Sequence, residues 1–134
     1  MHVKDIMNTY LFTLKEDDTI ADISYVMKLE KIRHIPIVDK DYKLVGLVTH
    51  RDLLRALAFK SESVQIREIM RKEVKAVGPD TPLKGAIDVM IINEFGCLPI
   101  VDSNRKLVGI VTEIDLLKIL YDTVKMPSDF YITK

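Results

Sequence analysis

The stretch KLVGLVTHRDLL, from Lys43 to Leu54, returns as KLVGIVTEIDLL from Lys106 to Leu117, with nine of twelve letters identical at an offset of 63 residues. Both copies hold a Thr three residues ahead of an Asp, as Thr49 with Asp52 and Thr112 with Asp115. In each, an apolar run ending at the Thr reads as a short buried strand, and the leucines beyond it recur at helical spacing. The duplication spreads outward from this stretch. VKDIM at 3–7 answers IREIM at 66–70, and HIPIVD at 34–39 answers CLPIVD at 97–102, again at offset 63. Asp18-Thr19 answers Asp80-Thr81 at offset 62, a slip recovered before Met27 and Met90. A repeat too small to bury its own apolar face buries it against its twin, so two copies in tandem are expected to pair about a pseudo-twofold axis.

Each unit reads β-α-β-β-α, an α/β (α+β) pattern. Tyr10–Leu14 and Val74–Val77 are expected as short first strands. A helix follows each, opened by Thr19 with Asp22 at capping-box spacing and, in the second unit, by Thr81-Pro82 with proline at the first helical position. Ile20, Ile23 and Met27 recur at helical spacing, as do Leu83, Ile87 and Met90. The polar quartets Asp39–Tyr42 and Asp102–Arg105 join two apolar runs into a hairpin in each unit. The last helices carry Leu53, Leu54 and Leu57, then Leu116, Leu117 and Leu120. The units are placed at residues 1–60 and 61–123, with a seam near Phe59–Ser63 and a tail over 124–134.

Bulk properties narrow the function classes. An apolar share of 48% supplies a core, and 30% charged residues supply a solvated surface. Twenty basic and twenty acidic side chains cancel, which disfavours nucleic acid or an anionic membrane as the main partner. The single cysteine, Cys97, cannot form an internal disulfide, and the start MHVKDIMNTY lacks the apolar core of a signal peptide. No apolar run reaches the length of a membrane span. A cytoplasmic location is expected.

The Thr-x-x-Asp pairs admit two readings. A Thr and an Asp three residues apart at a strand-to-helix junction form a capping box that satisfies free backbone N–H groups. The same junction also attracts oxygen-rich ligands, and an acid there accepts hydrogen bonds from a ribose diol. Local sequence favours the cap. His2, His34 and His50 lack the spacing of a metal site, and Cys97 in an apolar run reads as a buried, inert thiol. No P-loop or GxGxxG occurs, and no nucleophile with a paired base can be assembled from the motifs, so an enzyme is not expected.

Taken together, Ile-Met, apolar-Pro-Ile-Val-Asp and Gly-x-x-Thr-x-x-Asp, in that order and twice over, resemble the cystathionine β-synthase (CBS) domain; the tandem resembles a Bateman module. The likeness runs from Val3 to about Tyr121. It implies a regulatory module that binds adenosine compounds such as AMP, ADP, ATP or S-adenosylmethionine in two clefts, as effectors rather than cofactors. It further implies that Thr49, Asp52, Thr112 and Asp115 meet the ribose. The base would lie against the first strands and the residues leading into the prolines. These are Tyr10, Phe12 and Thr13 with His34, Ile35 and Pro36, and Val74, Lys75 and Val77 with Cys97, Leu98 and Pro99. Which first strand serves which Thr/Asp pair stays open.

The copies differ in charge. Where the first has Arg33, His34, His50 and Arg51, the second has Gly96, Cys97, Glu113 and Ile114 at the matching places. The cations offer phosphate contacts, or else form a solvated helix edge; Arg71, Lys72 and Lys75 add to them. Unequal clefts are expected. The expected partners are an adenosine ligand, an unidentified effector protein and a second copy of the chain, the last because Met27, Leu29, Val89, Ile92 and Ile119 read as apolar surplus. The rival is a constitutive scaffold in which Thr and Asp are only caps.

Overall fold

The computed structural model describes residues 1–124; the tail beyond Val124 lies outside the described residues. Four helices and two hairpins form in the order α1 (Ile20–Glu30), β1 (His34–Val38), β2 (Leu44–Thr49), α2 (His50–Phe59), α3 (Leu83–Asn93), β3 (Cys97–Val101), β4 (Leu107–Thr112), α4 (Glu113–Thr123). Single 3-10 turns at Val3–Asp5 and Ile66–Glu68 precede the two halves. No helix among the described residues is long and apolar enough to cross a membrane.

Local chemistry builds the hairpins. β1 pairs antiparallel with β2 so that His34 opposes Thr49 and Pro36 opposes Leu47, and β3 pairs with β4 in the same register, Cys97 opposing Thr112. Each turn is closed by one aspartate. Asp39 accepts from the N–H groups of Asp41 and Lys43, and Asp102 from those of Asn104 and Lys106, all at 2.9 Å. Those bonds, led by the one from Lys43, hold the Asp39 carboxyl below its ordinary pKa. Tyr42 and Arg105 take the matching left-handed position, each with φ 63°. Thr19 and Asp22 form the expected capping box at α1. Pro82 is the N-cap of α3 rather than its first helical residue, and it offers no side-chain cap.

The halves exchange their opening segments. Val3 donates its N–H to Thr81 O at 2.9 Å and its side chain is fully buried among Ala86, Met90, Leu98, Ile100 and Val111 of the second half. Ile66 donates to Asp18 O at 2.8 Å and is fully buried among Ile20, Ile23, Ile35, Ile37 and Val48 of the first. Each such burial contributes roughly 1.5–3 kcal/mol, so each core lacks a wall until the other half supplies it.

The expected first strands do not form as strands. Asn8 exchanges backbone hydrogen bonds with Ile110 of β4, whereas Leu14, six residues on, pairs with β1 at Ile37. Arg71 likewise pairs with Leu47 of β2, and Val77 with Ile100 of β3. Each segment crosses from one half's sheet to the other's, so each end makes one bridge and a continuous ladder cannot build. Between the crossings, the hairpins meet over Val38, Leu44 and Leu107, and over Leu47, Cys97 and Ile110, with Leu11 and Val74 packed against both groups.

The helix faces depart from expectation in part. Met27 belongs to the first core, at 5% exposure, and Val89 packs half-buried on the second; neither is surplus. Ile119 is half-buried. Leu29 and Ile92 do face solvent, together with Tyr25 and Ile91. Of the last-helix leucines, Leu53 is buried and Leu116 half-buried, while Leu54, Leu57, Leu117 and Leu120 are exposed.

Candidate ligand cleft between the halves

Both Thr-x-x-Asp pairs are complete capping boxes. The Asp52 amide donates to Thr49 Oγ1 at 3.2 Å and Asp52 Oδ2 accepts from the Thr49 amide at 2.9 Å. In the second half, the Asp115 amide donates to Thr112 Oγ1 at 3.4 Å, and Asp115 Oδ2 accepts from the Thr112 amide at 2.8 Å and from the Thr112 hydroxyl at 3.0 Å. The cap consumes one oxygen of each carboxylate and leaves Oδ1 for something else. At Asp52 that something is Arg71, whose Nη2 donates to Oδ1 and whose Nε donates to Oδ2, both at 3.3 Å. Among the described residues, no such cation meets Asp115.

Between the halves lies a cavity of about 1050 Å³, at the upper end of the ~300–1,000 Å³ usual for small-molecule sites. Thr49, Thr112 and Asp115 line it. So do Tyr10, Phe12, His34, Pro36, His50, Arg51, Val74, Lys75, Cys97 and Pro99. Asp52 stands behind Arg71, which is itself in the wall. Thr13 and Val77 do not line the cavity. Ile35 and Leu98, both fully buried, turn into the two cores, because alternate residues of a strand point to opposite faces.

The crossing segments answer which first strand serves which pair. Asn8 to Ile110 lays the start of the first crossing segment beside the β4 strand that ends at Thr112, and Arg71 to Leu47 lays the start of the second beside the β2 strand that ends at Thr49. Each half's opening segment therefore flanks the other half's motif. Sequence reading missed Asn8, Lys31, Glu73, Glu94 and Phe95 as wall residues. Lys31 and Glu94 are left-handed helix ends, with φ 56° and 55°, and nothing in their local sequence points toward a cavity.

The charge contrast read from the sequence is carried into the walls. On the first half and the segment pinned to it stand Lys31, Arg33, His50, Arg51 and Arg71; the matching places on the second hold Glu94, Gly96, Glu113, Ile114 and Asn8. Lys75 has already crossed over, and its Nζ donates to Asn93 Oδ1 at 3.4 Å, beside Glu94. Tyr10 and Phe12 meet edge to face, 5.3 Å between ring centroids. His34 is held below its ordinary pKa, chiefly by burial, with Arg33 and Arg71 adding to the effect and Glu113 and Asp52 opposing it. Burial pushes the Cys97 thiol up to about 12, so it stays protonated and unreactive at neutral pH.

A family model described as the CBS domain matches residues 3–59 and again 66–122. The chain is a tandem pair of CBS domains. Its halves thus belong to a regulatory module. The CBS domain pair of protein MJ0100, solved with 5′-methylthioadenosine and S-adenosyl-L-methionine, is 31% identical, with a TM-score of 0.86 over 92% of this chain and 98% of that one. CBSX2, solved in complex with AMP, is 25% identical, with a TM-score of 0.80 over 90% of this chain and 96% of that one. A homoserine O-acetyltransferase from Methanohalobium evestigatum is 37% identical over 119 residues, which are 89% of this chain but 24% of the enzyme. The CBS pair spans about a quarter of that relative.

Proposed function

We propose that this CBS pair binds adenosine compounds in the cavity between its halves and signals their presence to a partner protein in the cytoplasm, without catalysing a reaction. The observation that carries the reading is the placement of two Thr-x-x-Asp junctions on one cavity whose walls come from both halves. A ligand that touches both halves favours the arrangement it bridges best, which is a means of transmission. Two relatives that match nearly the whole chain hold adenosine compounds, which supports the same ligand class here. Thr49, Asp52, Thr112 and Asp115 would take the ribose, and Pro36 and Pro99 with their strand neighbours would border the base. The exposed residues Leu29, Ile91 and Ile92 support association with a second copy.

A scaffold with empty clefts has one observation in its favour: both carboxylates already serve as caps. Thermal melting with AMP, ATP and S-adenosylmethionine separates the two readings. A ligand at a hundredfold excess over its dissociation constant adds about 2.7 kcal/mol of stability, a shift of several degrees in Tm. No shift with any of the three at millimolar concentration overturns the sensor in favour of the scaffold.

A further inference from the structure

The two motifs are alike, but one residue beside each is not. Arg71 and Asn8 occupy equivalent places, 63 residues apart, and each is pinned by a reciprocal pair of backbone hydrogen bonds at 2.9–3.0 Å, to Leu47 and to Ile110. From that place Arg71 reaches both oxygens of Asp52. Asn8 turns its Oδ1 back to the Tyr10 amide at 3.0 Å, and Asp115 Oδ1 accepts no hydrogen bond among the described residues. One carboxylate is therefore occupied by a cation and the other is open. The neighbouring walls differ in the same sense, with His50 at the place of Glu113 in the repeat and Lys31 at that of Glu94.

Resting on the reading that the cavity takes adenosine compounds, we propose that its two ends divide them by phosphate. At the Thr49/Asp52 end, Arg71 is a plug that only an anionic ligand removes efficiently. A ribose that displaces the guanidinium from Asp52 leaves that cation without a partner; a phosphate on the same ligand provides one, through a two-pronged, charge-assisted contact. The Arg71 side chain is half exposed, with 52% relative exposure, so its two bonds to Asp52 can break without opening the core. The Thr112/Asp115 end needs no such exchange. Among the described residues, Glu94 and Glu113 outnumber the one cation there, Lys75, whose Nζ is tied to Asn93 Oδ1 at 3.4 Å, so the end disfavours phosphate and attracts a cationic sulfonium. This end takes unphosphorylated adenosines, neutral or cationic.

Calorimetry with adenosine, AMP and S-adenosylmethionine as probes tests the division, using Asp115→Ala to isolate the first end and Asp52→Ala to isolate the second. At the first end AMP binds at least tenfold tighter than adenosine, and adding Arg71→Asn brings that ratio close to one. At the second end adenosine and S-adenosylmethionine bind at least as tightly as AMP, and adding Asn8→Arg shifts the preference toward AMP. Circular dichroism confirms folding of each variant; should Arg71→Asn not fold, the Asn8→Arg arm decides alone. Equal AMP-to-adenosine ratios at both ends, or ratios unmoved by the substitutions, overturn the division while leaving adenosine binding intact. Binding of none of the probes at either end overturns both.

Discussion

The Met7 side chain lies on the bare face of Gly109, where an added Cβ would stand 2.5 Å from its sulfur and 2.9 Å from its Cγ. Met70 lies on Gly46 in the same way, with the sulfur 2.6 Å and the Arg71 carbonyl 3.0 Å from the added atom. The Ile-Met of each half and the glycine of the other half's Gly-x-x-Thr-x-x-Asp are thus one packing unit. It holds each crossing segment beside the motif that it flanks.

From this packing, Gly109→Ala and Gly46→Ala are each expected to cost about 1–3 kcal/mol, the usual range for overfilling a packed site. Met7→Ala should relieve much of the cost of Gly109→Ala, because contacting residues are not additive. A double-mutant cycle of denaturant midpoints checks this, and additivity would mean that the two residues do not share the strain.

Asp52→Ala and Asp115→Ala should each weaken ligand at one end of the cavity while leaving the protein folded. The lost cap costs on the order of 1 kcal/mol of stability, and a ribose deprived of its charged acceptor loses roughly 1.5–3 kcal/mol of binding. Unchanged affinity in both variants, with only the melting temperature lowered, would make capping the whole account.

His34 makes stability depend on pH. Its folded pKa lies below the ordinary 6.5 because burial disfavours the charged ring. As pH falls through 6.5 the unfolded chain takes up a proton that the folded chain resists, so folding weakens; above that pH both states are neutral and the effect vanishes. Replacing His34 with Gln should flatten the loss of stability between pH 7 and pH 5, as measured by urea unfolding. A loss just as steep in the variant would assign it to other groups.

The apolar surface on the helices is expected to pair with a second copy. Ile92 and Ile91 are 78% and 68% exposed and neighbour each other on α3. A twofold dimer is the commonest way to cover such a face. Light scattering should return about twice the 15.4 kDa chain mass, and Ile92→Glu should reduce it toward one chain. A single-chain mass for the unaltered protein at micromolar concentration contradicts the pairing.

Local chemistry reaches only so far along the chain. The apolar-Pro-Ile-Val runs, the Asp39 and Asp102 turns and the three Thr-led caps act over a few residues, so the hairpins and helices are written in the sequence itself. The repeat, being a pattern of letters, declared two matching halves. Tertiary structure decided what has no local signature. Met27 is buried because a whole core closes over it, and Tyr10–Leu14 forms no strand because Asn8 just before it and Leu14 at its end are claimed by different sheets. Arg71 finds Asp52, nineteen residues earlier, only because its segment is pinned to β2. The charge difference between the copies was legible one residue at a time. That those charges face one shared cavity, with one carboxylate covered and the other open, follows only from the crossing of the two segments between the halves.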